Sequence, residues 1–200
     1  MSPIKIYDSQ KPGYFLPHHA VIKEDSITTK TRPVFDSSAK SSTGISLNDT
    51  LLVSPTLQDD LFAIVLRFRL FTYALTADIQ QMYRQILVAE NYRLFKKILW
   101  RFSLEEPIQI HTVNTVTFET SCAPYLAIRT LRQLADDEEN TFPLASKILK
   151  RDFNVDDLLT GSQTFQGALE LRNDLIQLLE KGGFNLRKWA SNHPDMCTAR

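Results

Sequence analysis

Asp156 and Asp157 stand side by side in the run Arg-Asp-Phe-Asn-Val-Asp-Asp-Leu-Leu-Thr-Gly that spans Arg151 to Gly161. Adjacent carboxylates repel one another and lose hydration when a fold holds both on a rigid turn, and a divalent cation is the neutraliser that suits them. Phe153 and Val155 precede the pair and Leu158 and Leu159 follow it, so the acids interrupt a strand-like apolar run and mark the turn of a short hairpin. A third carboxylate, Asp78, ends the apolar stretch Tyr73-Ala-Leu-Thr-Ala-Asp-Ile79, which reads as a buried strand delivering an acid at its C-terminal end. Three carboxylates converging from two strands suit octahedral Mg²⁺ and phosphoryl transfer.

An Asp-Asp pair alone is more often a surface turn than a site, and the chain holds two others, Asp59-Asp60 and Asp136-Asp137. Both lie in helical patterns. They read as a solvated first turn and as a charged C-terminal face running into Glu138-Glu139. The chain has 200 residues, 43% of them hydrophobic, which is enough for a substantial core. Its 23 basic and 23 acidic residues cancel, so no global basic field announces nucleic acid and any such surface must be local. Cys122 and Cys197 lack metal-ligand spacing, and the N-terminus lacks a charged-then-apolar leader pattern. No apolar run approaches the ~20 residues of a membrane span. The expectation is a soluble chain, free of membrane, in a reducing intracellular, cytoplasmic setting.

The elements that must position these acids follow from periodicity and turn chemistry. Residues 14–23 read as a strand, and Arg32-Pro-Val-Phe-Asp36 as its partner after a polar turn; Ser37 to Asp49 is a Ser/Thr-rich loop. Pro55 opens a helix along Leu57, Leu61, Ile64, Val65 and Phe68, which feeds the Asp78 strand. Residues 94–102 and 108–118 pair around Glu105-Glu106-Pro107, and Pro124 opens a second helix along Leu126, Ile128, Leu131 and Leu134. The acidic hairpin comes next. A third helix runs from Phe165 to Leu179, ends at Gly182-Gly183, and passes into Phe184-Asn-Leu-Arg-Lys-Trp189. Strand, helix, hairpin, helix, strand is an α+β pattern.

Eight motifs, in order and spanning nearly the whole chain, resemble the reverse transcriptase domain of BEL/Pao-type LTR retrotransposon polyproteins. They are Tyr14-Phe-Leu-Pro-His-His-Ala-Val21, Arg32-Pro-Val-Phe-Asp36 with Ser38-Ala-Lys40, Ser46-Leu-Asn-Asp-Thr-Leu51, and Pro55-Thr56 with Gln58-Asp-Asp-Leu61. Leu75-Thr-Ala-Asp-Ile79 with Met82-Tyr-Arg-Gln85, Ala123-Pro124, Val155-Asp-Asp-Leu-Leu-Thr-Gly161, and Gly183-Phe184 with Lys188-Trp189 complete the set. The resemblance implies a polymerase right hand. It would comprise an N-terminal tail (1–13), a fingers-like region (14–72), a palm with a ferredoxin-like sheet and packed helices (73–190), and a truncated C-terminal extension (191–200), the thumb missing. It also implies deoxynucleotide addition to a primer on an RNA or DNA template, flanking polyprotein domains, and a parent element housed in virus-like particles.

Carried over residue by residue, Asp78, Asp156 and Asp157 are the catalytic carboxylates and the ligands of two Mg²⁺ ions, for which Mn²⁺ can substitute. Tyr83 takes the position of the aromatic ring under the sugar, Arg32 that of the fingers arginine on the triphosphate, and Lys23 that of a neighbouring phosphate-contacting lysine. Lys188 corresponds to the basic residue that assists pyrophosphate departure, and Pro124 lies in a strand-contacting motif. Taken as residues alone, Arg32 and Lys23 read as solvated cations, and Tyr83 equally well as a packed aromatic beside Met82. His18 and His19 read as packing or template-strand contacts rather than as a zinc site.

Three positions depart from the family pattern. Asn154 replaces the aromatic that normally precedes Val-Asp-Asp and supports the strand, Glu119 replaces a glycine that admits the nascent base pair, and Pro33 interrupts the fingers strand. They carry an alternative reading: a catalytically decayed retrotransposon remnant, at most a template-primer binding module. A third reading, a ferredoxin-like single-stranded RNA binder, leaves the three aspartates without a role and lacks the exposed Gly-aromatic pattern of such modules.

Overall fold

The computed structural model describes residues 2–3, 13–22, 24 and 31–198. In chain order it forms β1 (Ser2–Pro3), β2 (His18–Ile22), β3 (Thr31–Phe35), α1 (Leu47–Thr50), α2 (Leu61–Phe68), β4 (Tyr73–Ile79) and α3 (Met82–Gln85). A 3-10 helix (Glu90–Lys96) leads into β5 (Lys97–Trp100) and β6 (Gln109–Thr112), followed by α4 (Ala123–Asp137) and α5 (Pro143–Arg151). The chain closes with β7 (Phe153–Asn154), β8 (Asp157–Ser162), α6 (Phe165–Lys181), β9 (Leu186–Ser191) and α7 (Asp195–Thr198). Two interleaved compact units result, Met1–Ser54 with Ile86–Ala123 and Pro55–Gln85 with Pro124–Arg200. Lys23 and most of the 1–13 segment lie outside the described residues. Among the described residues, no helix is long and apolar enough to cross a membrane.

In the first unit β2 and β3 form a two-stranded antiparallel sheet in which Ala20 faces Pro33 and Val21 faces Arg32. Each strand of such a sheet keeps one free edge, the setting in which proline is tolerated. A second sheet has the order β1-β6-β5, and Leu16, Leu47, Ile98 and Val113 form the core beside it. The expected strand over 14–23 starts only at His18, because Leu16 donates its N–H to the Lys97 carbonyl at 2.8 Å and Pro17 has none to donate. The strand expected from residue 94 likewise starts at Lys97, after the 3-10 turn. Lys96 is turned inward there; its ammonium donates to the Thr115 carbonyl, and burial lowers its pKa to about 8.

The second unit is built on the antiparallel sheet β7-β8-β4-β9. β4 buries alternate residues Leu75, Ala77 and Ile79 on one face, as a period-2 apolar pattern requires. Against that sheet Leu75 packs with Ala168 of α6 and Met196 of α7, so the C-terminal segment supplies a core side chain. The C-terminal end of α6 is a Schellman cap. Phe184 N–H reaches the Leu179 carbonyl at 2.9 Å, Gly183 N–H the Glu180 carbonyl at 3.0 Å, and Gly183 takes φ +75°.

Two helices differ from the sequence expectation. α2 begins at Leu61 rather than at Pro55, because Asp60 accepts the Phe62 N–H at 2.7 Å and is the N-cap. The preceding residues are held extended: Gln58 donates to the Phe153 carbonyl at 3.0 Å and Arg132 donates to the Leu57 carbonyl. α5 is absent from the periodicity reading altogether, although Pro143 stands in its first turn and Ala145, Ile148 and Leu149 are buried.

Asp152, fully buried at the root of the acidic hairpin, ties this unit together. Arg151 grips it through Nε at 2.7 Å and Nη2 at 3.0 Å, Thr160 Oγ1 donates at 2.9 Å, and Arg67 Nε lies 3.4 Å away. Arg67 also pairs with Asp59 at 2.9 Å and donates to the Arg151 carbonyl at 2.7 Å, which links α2 to the end of α5. Removing one partner of a buried, hydrogen-bonded charge cluster costs about 3–5 kcal/mol, since the remaining charges stay uncompensated. Asp152→Ala should therefore lower the unfolding free energy by about that amount, read from urea denaturation followed by circular dichroism; an unchanged midpoint and slope would mean that the arginines relax into solvent.

Candidate active site

The hairpin β7–β8 is anchored on both arms, with Phe153 opposite Leu158 and both buried, and Leu159 N–H reaching the Asp152 carbonyl at 2.9 Å. Asn154 pairs with Asp157 across the turn, leaving Val155 and Asp156 at its tip. Val155 takes φ +55°, a left-handed conformation that a β-branched residue adopts at a cost of about 1–3 kcal/mol. Positive φ at the first central position is the pattern of type II′ hairpin turns, whose twist matches the flanking strands. The strain is sustained because the pairing on either side leaves the chain no other path.

β4 lies between β8 and β9, and its register decides what Asp78 faces. Asp78 is opposite Asp157 on one side and opposite Arg187 on the other, and the Ile79 N–H bonds the Asp156 carbonyl at 2.9 Å. Residues directly opposite on antiparallel strands share a face with Cβ atoms about 4.5–5.5 Å apart. Two carboxylates are thus set side by side by the ladder itself, with the third at the adjoining turn. Asp156 and Asp78 are half-buried. Partial burial of the Asp157 carboxyl raises its pKa, the charges of Asp156 and Asp78 raise it further, and the Lys188 ammonium opposes them.

Lys188 Nζ donates to Asp78 Oδ2 at 2.7 Å, while Arg187 Nε stands 3.6 Å from Asp78 Oδ1. That Oδ1 atom is buried and has no hydrogen-bond partner. Tyr83, on α3 after the left-handed Gln81 (φ +49°), is half-buried; burial and then the Asp156 charge raise its phenol pKa. The second unit therefore brings Asp78, Asp156, Asp157, Tyr83 and Lys188 together. Pro124, exposed at the start of α4, and Asn154, half-buried in β7, belong to the same unit.

Arg32 and Glu119 belong to the first unit. Arg32 is exposed on β3 opposite Val21. Glu119 is exposed in a loop clamped through its backbone by Asn48, whose amide donates to the Glu119 carbonyl at 3.1 Å and accepts the Ser121 N–H at 2.9 Å. Glu119 is not among the residues with positive φ, so the loop path itself does not demand glycine there. His18 is a packing residue, its ring 6.0 Å from Phe35 and 5.9 Å from Trp100.

Among the described residues, no three His, Cys, Asp or Glu side chains are gathered closely enough to hold a metal ion as they stand. The donor set nonetheless fits a hard divalent cation in kind: carboxylate oxygens only, one buried oxygen lacking a hydrogen bond, and burial with mutual repulsion raising Asp157. Residues that sequence reasoning passed over are Asp152 with Arg67, Arg151 and Thr160, which fix the hairpin root. The one available signal was the Arg151-Asp152 dipeptide directly before the apolar arm.

No protein-family model matches this chain, and no curated protein matches it. Among solved structures it is similar to a foamy viral protease-reverse transcriptase in complex with double-stranded DNA. The TM-score is 0.65 and the identity 17%, over 88% of this chain and 27% of that one. At that identity the likeness shows the fold: a reverse-transcriptase-like α+β polymerase fold with antiparallel sheets. The chain spans about a quarter of the length of the chain it matches, 27%.

The raised Asp157 pKa has a definite sign for stability. The protonated form is favoured in the fold, so that stability is fully present below the ordinary aspartate value and is lost as pH rises through the folded pKa. Asp157→Asn should raise the melting temperature at neutral pH, and the gain should vanish near about pH 3, where the wild-type carboxyl is already protonated. A gain of equal size at both pH values would assign it to something other than the burial and repulsion of the ionised carboxyl.

Proposed function

We propose that this chain is the fingers and palm portion of an RNA-directed DNA polymerase of the BEL/Pao LTR-retrotransposon kind, which adds deoxynucleotides to a primer 3′-hydroxyl on an RNA or DNA template. The observation that supports it is the register setting Asp78 against Asp157, with Asp156 at the strained turn, in a fold similar to a reverse transcriptase. Asp78, Asp156 and Asp157 would hold Mg²⁺, or Mn²⁺ in its place. The bound metal would supply Lewis-acid activation of the primer hydroxyl and neutralise phosphate charge.

The chain's own residues do the rest of the work. Tyr83, beside Asp156, places a ring where the sugar of an incoming nucleotide is tested for a 2′-hydroxyl. Arg32 offers a planar, permanently charged donor to the triphosphate, and Lys188 a mobile ammonium on the carboxylate side. Flanking polyprotein domains, an intracellular setting and virus-like particles of the parent element belong to the same proposal.

A second reading is a decayed element that binds template-primer without extending it. Asn154 at the hairpin, which presents an amide in place of a stacking ring, and the exposed carboxylate of Glu119 favour it.

Primer extension on an RNA template with deoxynucleotides, in Mg²⁺ and in Mn²⁺, separates the two readings. Under the first, the wild-type chain extends the primer and Asp156→Asn or Asp78→Asn lowers the rate by about 100-fold or more, since several kcal/mol of charge stabilisation are lost. Extension only by the Asn154→Tyr, Glu119→Gly double variant would establish the second reading. Extension that survives loss of Asp78 and Asp156 would remove the carboxylates from the chemistry.

A further inference from the structure

Lys188 does something that its place in the sequence does not announce. In a regular strand, neighbouring side chains point to opposite faces, so Arg187, which sits opposite Asp78, and Lys188 should not both face it. They do because the pairing of β4 with β9 shifts register between Thr76 and Asp78, and Lys188 takes φ +53° at that irregularity. The bulge turns the lysine back onto the carboxylate: Nζ sits 2.7 Å from Oδ2, leaving the buried Oδ1 without a hydrogen bond. A non-glycine residue in this conformation inside a strand is strained, and strain of this kind clusters at functional sites.

The ion pair is also built to open. The Lys188 side chain is 65% exposed against 16% for Asp78, so its ammonium can leave for water without disturbing the core, whereas the carboxylate stays where the sheet holds it. Three like charges at one sheet end need a cation nearby, and Lys188 donates a hydrogen bond to one of them, Asp78.

We infer that Lys188 is a placeholder cation: it occupies Asp78 Oδ2 while no divalent ion is bound, holds the acidic cluster together, and is displaced from Asp78 when a divalent ion arrives. The inference rests on the proposed function in taking Asp78 as a metal ligand, and it gives Lys188 a role before substrate binds, distinct from any contact with a leaving pyrophosphate.

Acetylation of lysine by an N-hydroxysuccinimide ester, read on the full chain by peptide mass spectrometry, tests it without any turnover. In wild type, millimolar Mg²⁺ should raise the Lys188 acetylation rate several-fold over a sodium chloride control of equal ionic strength, while exposed Lys181 is unaffected. In Asp78→Asn, which removes the pairing charge, Lys188 should react at the fast rate with or without Mg²⁺. Hydrogen exchange of the β4 and β8 amides confirms that the variant remains folded. A Lys188 rate indifferent to Mg²⁺ in wild type, or equal in wild type and Asp78→Asn, overturns the inference. Primer extension by a chain whose Lys188 ignores Mg²⁺ would overturn the placeholder role and leave the polymerase reading standing. Release of Lys188 by Mg²⁺ in a chain that extends no primer would support the placeholder and overturn the polymerase reading.

Discussion

The antiparallel register of β4 between β8 and β9 is the constraint on which the rest of the second unit depends. A slip of one residue in a strand sends every side chain to the opposite face. Here it would turn Asp78 into the core and expose Leu75, Ala77 and Ile79. Hydrophobic burial on one face therefore fixes the position of the carboxylate on the other, and the same ladder sets Asp157 opposite it and ties Asp156 through its carbonyl to Ile79. The sheet spends packing energy to hold like charges together.

Two cationic devices make that arrangement tolerable. At the root of the hairpin the buried Asp152 is gripped by Arg151 and Thr160, with Arg67 alongside, and this pins the arms of the β7–β8 turn to α2 and to the end of α5. At the tip, the bulge in β9 lets Arg187 and Lys188 approach Asp78 together. The first device centres on a fully buried carboxylate; the second centres on a half-buried one whose lysine partner is exposed. Strained backbone at Val155 and Lys188 flanks the carboxylates, and in both places neighbouring ladder pairing holds the chain in a conformation it would leave if free.

The first unit is organised differently. Its strands are short, its sheets have two and three strands, and its packing relies on an aromatic and aliphatic cluster under Leu16 and Ile98 with a capped turn at Ser46. It carries Arg32 and Glu119, and it carries them on exposed surface. Interleaving of the units follows from the chain path, which leaves the first unit at Ser54, returns at Ile86 and departs again after Ala123.

Much of this was legible in the residues. The period-2 pattern of Tyr73–Ile79, the apolar arms around Asp156 and Asp157, the Pro124 helix start and the Gly182-Gly183 stop each express a local preference of the backbone, and each is found where the pattern places it. α2 starts at Leu61 and not at Pro55 because Asp60 caps it while Gln58 and Leu57 are held extended by partners distant in sequence. α5 went unseen because its charged face masks a buried stripe only four residues strong, Ala145, Ser146, Ile148 and Leu149. By itself the sequence determined which residues are acids on strands and turns, since residue type and periodicity are local properties. Only the tertiary structure decided that Asp78 faces Asp157, that Asp152 is a buried clamp and that Lys188 reaches Asp78, because register, burial and a bulge arise from pairing between segments far apart in the chain.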